Sequence, residues 1–115
     1  MIGDRAYSAD INTVTQYAGA FAEGLRSARV LSSIKHFPGH GRGVGDSHES
    51  AVRTPPIDDL RSLDLAPYRA LAGLPLTTVM VGHLDVPGLT ESGLPTSLSP
   101  ATYALLRNEI GFTGG

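Results

Sequence analysis

Two short apolar runs, each lying between segments of helical periodicity, constrain the fold of this chain most strongly. The runs are 30–37 (VLSSIKHF) and 77–84 (TTVMVGHL); the first has β-branched and aromatic residues, the second is rich in β-branched ones, and a turn signal follows each. Helical periodicity precedes, separates and follows them, which gives the order helix, strand, helix, strand, helix. This alternation predicts βαβ units and a parallel sheet.

The first helix is predicted over residues 9–28. Its apolar residues recur every three or four positions, and Ser8 or Asp10 is available as the N-cap. The spacing therefore predicts an amphipathic helix with one apolar face, made by Ile11, Val14, Ala18, Phe21, Ala22 and Leu25.

Two further helical regions follow. The region 57–74 also has apolar residues at helical spacing, but Pro67 must mark a kink or the start of a new helix. The last helix is predicted over 100–110, with Ser99 as N-cap, a proline at its first position and Gly111 just past its end.

The predicted fold class is α/β, and the chain is expected to be a fragment of a (β/α)8 TIM-type barrel. Two strands cannot complete a parallel sheet, and such a barrel needs about 250 residues. The last five residues (GFTGG) are typical of a turn before another strand. The polar residues Lys35, His36 and His83 lie at the carboxyl ends of the predicted strands, where barrel enzymes carry their active sites.

Composition narrows the function classes. Nine basic and 11 acidic residues give a net charge of −2, so neither nucleic acid nor a membrane surface is an expected partner. The chain has no cysteine, and we find no secretory signal or stretch long enough to span a bilayer. The compartment stays open: cytoplasmic, or exported if a signal precedes this segment.

One 14-residue stretch is rich in side chains that can bind a ligand or transfer a proton. Residues 35–48 (KHFPGHGRGVGDSH) hold three of the four histidines and the only lysine, and they lead into a long glycine-rich loop predicted over 38–56. Loops of this length in compact domains are usually functional or disordered, and we expect a functional one. Asp46 can fix the tautomer of His48, two residues on, which makes the two a candidate general acid/base dyad.

Other interpretations of this stretch remain open. Lys35 and His36 offer donors to hydroxyls or to an anion, while the loop matches neither GxGxxG nor GxxxxGK[ST], so phosphate binding is unsupported. His83 taken alone is expected to be a structural residue. A metal site is a competing hypothesis, although no familiar zinc spacing is present; its ligands would be His36, His40, Asp46 and His48.

The stretch also resembles a known family. KHFPGHG followed by DSH resembles the signature of the bacterial β-N-acetylglucosaminidases of glycoside hydrolase family 3. The resemblance extends over 1–115 and includes the segments IGDRAY near the start, MVGH at the second strand and RNEIGF near the end. It implies that the whole chain is part of one catalytic (β/α)8 barrel.

The resemblance implies roles for five residues. His48 would be the general acid/base on a mobile loop, and Asp46 its hydrogen-bonded partner. Arg5, Lys35 and His36 would bind N-acetylglucosamine in the subsite before the scissile bond. The family is retaining, and in this branch a histidine replaces the second carboxylate of an ordinary retaining glycosidase.

The resemblance also implies what the chain lacks. The nucleophilic aspartate of the family lies on the strand expected after Gly115, and no aspartate between residues 58 and 85 occupies the matching position. The segment alone is therefore expected to be inactive. The implied parent is a monomer that removes terminal β-linked N-acetylglucosamine from cell-wall muropeptides or related glycosides, with a carbohydrate as its substrate partner and without a metal or organic cofactor.

Three alternatives to this function remain. The first is another family 3 glycosidase, or a phosphorylase, for which a histidine acid/base is suited because it does not repel an incoming phosphate. The second is a metal-dependent hydrolase that uses the histidine cluster. The third is a non-catalytic remnant that binds sugar without turnover.

Overall fold

The computed structural model describes residues 6–45 and 52–115. Helices and strands alternate along this part of the chain. The elements are α1 (Ile11–Ser27), β1 (Ser32–Phe37), β2 (Val52–Arg53), α2 (Ile57–Ser62), α3 (Ala66–Leu71), β3 (Thr77–Val81), β4 (Leu84–Asp85), a 3-10 turn (Thr96–Leu98), α4 (Pro100–Ala104) and a π-helical turn (Leu105–Glu109).

The two predicted strands form the central parallel pair. β1 pairs with β3 from Ser32 opposite Thr77 to Phe37 opposite Val81, with an irregularity after Lys35. The helices α2 and α3 lie between the two strands in the chain, so the pair is a βαβ crossover of the predicted kind. The parallel sheet is therefore confirmed.

A second, two-residue pair was not predicted. Val52 and Arg53 of β2 pair in parallel with Leu84 and Asp85 of β4. The predicted strand 77–84 was therefore wrong at its end, since β3 stops at Val81 and the chain re-enters a ladder at Leu84. The predicted loop 38–56 was also too long, because β2 lies inside it.

Thr96 explains why the chain can break between β3 and β4. Its hydroxyl donates to the carbonyl of Gly82 at 2.6 Å and accepts the backbone N–H of Leu84 at 3.0 Å. The side chain is fully buried, so these two backbone groups have a partner where the ladder is interrupted.

The first helix is confirmed, with slightly shorter bounds than predicted. Asp10 is its N-cap and accepts the backbone N–H of Thr13 at 2.8 Å, whereas Ser8 accepts the N–H of Asp10 instead. Ala22 is the one buried residue of this helix. The helix lies close to α3, since a Cβ on Gly19 would be 3.2 Å from Leu71.

The second helical region is two separate helices. α2 ends at Ser62, and Pro67 is near the start of α3, so the proline marks a new helix rather than a kink in a continuous one. The last helix begins at Pro100 as predicted, but its second half has π geometry. Ser99 holds the N-cap position without a capping side-chain hydrogen bond, and Gly111 follows the helix with φ of 78°.

The core lies on one side of the β1–β3 pair. Phe37 of β1 meets Tyr68 of α3 edge to face, with ring centroids 5.1 Å apart. Arg61 and Arg69 both bind Glu109, which ties α2 and α3 to the final helix across the surface of this core. The buried cluster is made by Phe37, Val52, Ile57, Leu60, Leu65, Tyr68, Leu84, Val86, Leu105, Leu106 and Phe112.

The last residues lie beside β3. The carbonyl of Gly115 accepts the backbone N–H of Val79 at 3.2 Å, and Arg107 donates to the carbonyls of Phe112 and Gly114. Residue 115 is therefore at hydrogen-bonding distance from a sheet strand. Among the described helices, none combines the length and apolar character needed to cross a membrane.

Candidate functional site

The carboxyl ends of β1 and β3 meet at one edge of the sheet. The backbone N–H of Gly82 donates to the carbonyl of Phe37 at 2.9 Å, just past the last paired residues. Because the strands are parallel, Lys35 and His36 from one strand and His83 from the other are carried to this same edge. The sequence-based placement of these three residues at strand ends is confirmed.

The two faces of the β1–β3 pair differ in polarity. Ile34 and Val79, which are opposite each other, pack against the buried core. Lys35 and its partner Met80 are both exposed. Since successive strand residues point to opposite faces, Lys35 lies on the face away from the core. Its ammonium group is therefore available to a ligand on that face.

His36 packs tightly against the neighbouring strand. A Cβ on Gly82 would lie 3.2 Å from the Cβ of His36, so only glycine leaves this room. The His36 ring is 5.5 Å from the ring of His40, with the planes tilted by 50°. The peptide bonds Lys35–His36 and Phe37–Pro38 are both cis. The two imidazoles lie side by side where β1 leads into the loop.

His83 is exposed and its ring is held in place. Its Nδ1 is 2.7 Å from the hydroxyl of Ser97, and the backbone on either side of it is bound by Thr96. Tyr103 in turn donates to the carbonyl of Ser97. From the sequence His83 is expected to be a structural residue, and nothing there signals Thr96 or Ser97, because a hydrogen bond between residues 14 positions apart leaves no local pattern.

The start of the glycine-rich loop is hydrogen-bonded to the junction of α2 and α3. Arg42 donates through Nε and a terminal nitrogen to the same carboxylate oxygen of Asp64, and also donates to the carbonyl of Asp59 at 3.1 Å. A Cβ on Gly39 would lie 2.8 Å from the Cβ of Asp64, so the loop backbone rests directly on this residue. The bond to Asp64 raises the pKa of the Arg42 guanidinium, which keeps it charged.

The two ends of the loop are joined to each other. Val44 and Arg53 exchange backbone hydrogen bonds of 2.8 and 3.1 Å in an antiparallel bridge. Arg53 also donates to the carboxylate of Asp85 at 3.0 Å. Gly43 lies against Val52, where a Cβ would be 2.4 Å from a side-chain carbon. Residues 43–44 and 52–53 therefore lie next to each other.

Three predicted site residues lie outside the part of the chain that the structure describes. These are Arg5, Asp46 and His48. The proposed metal site shares two of its four ligands with this group. Within residues 6–45 and 52–115, no three His, Cys, Asp or Glu side chains are grouped so as to hold a metal ion.

A cavity of about 720 Å³ opens beside β1. At one end it is lined by polar residues of the motif, including Lys35, His36 and His40, and at the other by the apolar face of α1, including Val14 and Phe21. The polar end of the cavity offers hydrogen-bond donors, which a ligand rich in hydroxyls requires. The apolar side chains at the other end offer no hydrogen bonds to a ligand.

Comparison with known proteins places the chain in a family. The model of the Glycosyl hydrolase family 3 N terminal domain matches residues 1–115. The beta-hexosaminidase LpqI of Mycobacterium tuberculosis is 59% identical over 112 residues, which are 97% of this chain and 29% of that protein.

Solved structures agree with the sequence matches. A family 3 glycosyl hydrolase from Mycobacterium smegmatis superimposes with a TM-score of 0.91 at 56% identity, covering 100% of this chain and 35% of that one. NagZ from Neisseria gonorrhoeae, in complex with N-trifluoroacetyl-D-glucosamine, gives 0.87 at 34% identity, covering 98% and 33%. The chain thus spans about a third of these relatives. The prediction of an α/β fragment of a TIM-type barrel is confirmed.

Proposed function

Because the chain belongs to glycosyl hydrolase family 3, we propose that the complete protein hydrolyses terminal β-linked N-acetylglucosamine with retention of configuration. Muropeptides of the cell wall, or related glycosides, are the proposed substrates. In this proposal residues 1–115 are part of a single catalytic barrel and supply the acid/base loop and part of the sugar site, but not the nucleophile.

One structural observation carries the proposal. The hydrogen bond from Gly82 to the carbonyl of Phe37 joins two parallel strands at their carboxyl ends, and Lys35 and His36 lie at that edge. This is the end of the sheet at which barrel enzymes build their active sites. Lysine and histidine donors at such an edge suit the hydroxyl and amide oxygens of an amino sugar.

The proposed chemistry assigns the proton transfers to the loop. His48 protonates the leaving oxygen in the first step and removes a proton from water in the second, while Asp46 holds its tautomer. A histidine suits both steps because its ordinary pKa lies near neutral pH. Arg5, Lys35 and His36 bind the sugar before the scissile bond. No step of this scheme requires a metal or an organic cofactor.

The proposed nucleophile is an aspartate on a strand that follows residue 115. Gly115 already accepts the N–H of Val79, in the middle of β3. A strand continuing from this point in parallel with β3 would end at the same edge as Lys35 and His36. The attacking carboxylate would then face the sugar from the neighbouring strand end.

The name and bound ligand of the relatives favour this substrate class. LpqI is named a beta-hexosaminidase, and the NagZ structure holds N-trifluoroacetyl-D-glucosamine. A family 3 phosphorylase is the second candidate, because a neutral or cationic histidine does not repel phosphate as a carboxylate acid/base does.

The test is a product analysis of the complete protein. A substrate with a terminal β-linked N-acetylglucosamine is supplied first in water alone and then with inorganic phosphate, and the sugar products are identified by NMR. The proposal expects free β-N-acetylglucosamine as the first-formed anomer in both cases. Sugar 1-phosphate as the main product would replace it with the phosphorylase, and an α-anomer would contradict retention.

A further inference from the structure

Arg42 is the only charged side chain of residues 39–45, the first part of the loop, which we call the loop stem. Its guanidinium donates three hydrogen bonds to the junction of α2 and α3. Two are to the carboxylate of Asp64 and one is to the carbonyl of Asp59. Its side chain is 42% exposed, so these bonds do not follow from burial of the arginine.

We propose that the Arg42–Asp64 ion pair is a positioning clamp, which fixes the loop stem and thereby sets the efficiency of the acid/base step carried out further along the loop. The inference rests on the function proposed above. Arg42 is a positioning residue in this account, since it acts through the loop and not by touching the substrate.

Asp64 is suited to be the fixed side of the clamp. Its side chain is only 13% exposed, and its neighbour Leu65 is fully buried in the core. Tyr68, one helical turn on, is also buried, and its phenol pKa is raised by burial and further by the negative charge of Asp64. The carboxylate is therefore held between the core and the loop stem, where it cannot move freely to follow the arginine.

The stem is short and is held at more than one point. Gly39 rests on Asp64 with no room for a Cβ, and Gly43 donates its N–H to the carbonyl of His40 at 2.9 Å. Val44 is bridged to Arg53. Three residues separate Arg42 from Asp46 in the sequence. Arg42 is thus one of the contacts that fix the stem immediately before the segment to which the proposed dyad belongs.

The experiment compares variants of the complete protein on two substrates. One is an unactivated N-acetyl-β-glucosaminide, whose departure needs a proton, and the other is an activated aryl N-acetyl-β-glucosaminide, whose departure does not. Arg42→Gln removes the charge but keeps a side chain with hydrogen-bonding groups. Arg26→Gln is the matched control, because it breaks an exposed arginine–carboxylate pair whose two members both belong to α1.

The clamp predicts a specific pattern. Arg42→Gln should lower kcat/KM roughly tenfold for the unactivated substrate and less than about twofold for the aryl substrate, as expected of a slightly misplaced acid. Asp64→Asn should give the same ratio between the substrates. Arg26→Gln should change neither value, and the thermal unfolding midpoint of Arg42→Gln should stay near that of the parent. Equal losses on both substrates, or no loss, would overturn the inference.

A second comparison separates this inference from the proposed function. If the clamp acts through His48, adding Arg42→Gln to His48→Ala should cause no further loss on the unactivated substrate. A further tenfold loss in the double variant would contradict the clamp. If His48→Ala alone shows no dependence on the leaving group, the proposed acid role itself fails, whatever Arg42→Gln does.

Discussion

The backbone N–H of Gly82 donates to the carbonyl of Phe37 at 2.9 Å, and this bond joins β1 and β3 beyond their irregular pairing. It brings the end of one strand, with Lys35 and His36, against the end of the other. The missing side chain of Gly82 is what lets the Cβ of His36 approach. The proposed sugar site therefore depends on a glycine, although this residue has no side chain with which to bind the sugar.

Substituting Gly82 should disturb both stability and the site. In Gly82→Ala the new Cβ would lie 3.0 Å from Leu84 and 3.2 Å from the Cβ of His36. Such overpacking costs about 1–3 kcal/mol in the free energy of unfolding. We expect kcat/KM of the complete protein to fall as well, because His36 must move. Urea unfolding and steady-state kinetics measure the two effects.

Gly73→Ala is the control for this substitution, since nothing lies within 4 Å of a Cβ at Gly73. It should change the unfolding free energy by no more than about 0.5 kcal/mol. Equal behaviour of the two variants would show that the close approach of Gly82 and His36 is not needed.

Thr→Val substitution is expected to have opposite effects on stability at two fully buried threonines, Thr96 and Thr102. Thr96→Val removes the hydroxyl that binds both Gly82 and Leu84, and each buried backbone group left unpaired costs about 1–3 kcal/mol. We expect the complete protein to lose about 2–4 kcal/mol of unfolding free energy in urea. The Thr102 hydroxyl is buried without a hydrogen-bond partner among the described residues.

Thr102→Val should therefore leave the unfolding midpoint unchanged or raise it, because a desolvated hydroxyl is replaced by a methyl group. The two substitutions alter side-chain volume equally. A loss at residue 102 as large as the loss at residue 96 would indicate that volume, and not hydrogen bonding, decides the effect at both sites.

The local elements could be predicted from the sequence, and the reasons are physical. The apolar spacing of α1, its cap at Asp10 and the β-branched runs of β1 and β3 are patterns within single segments. The two-residue strands β2 and β4 have no such pattern, because Val52 and Leu84 become strand residues only by pairing with each other across 32 positions.

The same distinction applies to the site. The placement of Lys35 and His36 at the end of a strand could be predicted because strand ends are visible in the sequence. The contacts of Arg42 with Asp64 and of His83 with Ser97 join residues 22 and 14 positions apart, and only the fold brings them together. The sugar-binding roles of Lys35 and His36 stay predictions. So do the roles of Arg5, Asp46 and His48, which lie outside the described part of the chain.

Asp10, whose carboxylate caps α1, is expected to make the stability of the fold depend on pH. The backbone N–H of Thr13, and then its hydroxyl, lower the pKa of Asp10 below its ordinary value. A carboxyl whose pKa is lowered in the folded state stabilises the fold above its unfolded pKa of about 4, and this contribution is lost as pH falls through the folded value.

Asp10→Asn should retain the cap but lose this dependence, since asparagine caps well and does not titrate. The difference in unfolding midpoint between parent and variant should shrink as pH is lowered from 6 to 3. A difference that is constant over this range would contradict a capping role for the ionised carboxylate.

The proposed acid role of His48 predicts a dependence on the leaving group. In the complete protein, His48→Ala should lower kcat/KM about 10²–10⁴-fold for glycosides with poor leaving groups and little for activated aryl glycosides. The measurement is a plot of log kcat/KM against the pKa of the leaving group, which should be steeper for the variant. Parallel plots would assign His48 a role other than proton donation.

Substituting Lys35, the exposed lysine at the end of β1, tests most directly whether a sugar binds at this edge of the sheet. Lys35→Met in the complete protein removes the ammonium group and keeps most of the apolar stem, and Arg26→Met on α1 is the matched loss of a surface cation. We expect kcat/KM for a β-N-acetylglucosaminide to fall about 10- to 100-fold in Lys35→Met, as for the loss of one charged hydrogen bond to substrate. The unfolding midpoint and the Arg26→Met variant should match the parent. A Lys35→Met protein with the kcat/KM of the parent would contradict a sugar site at this edge of the sheet.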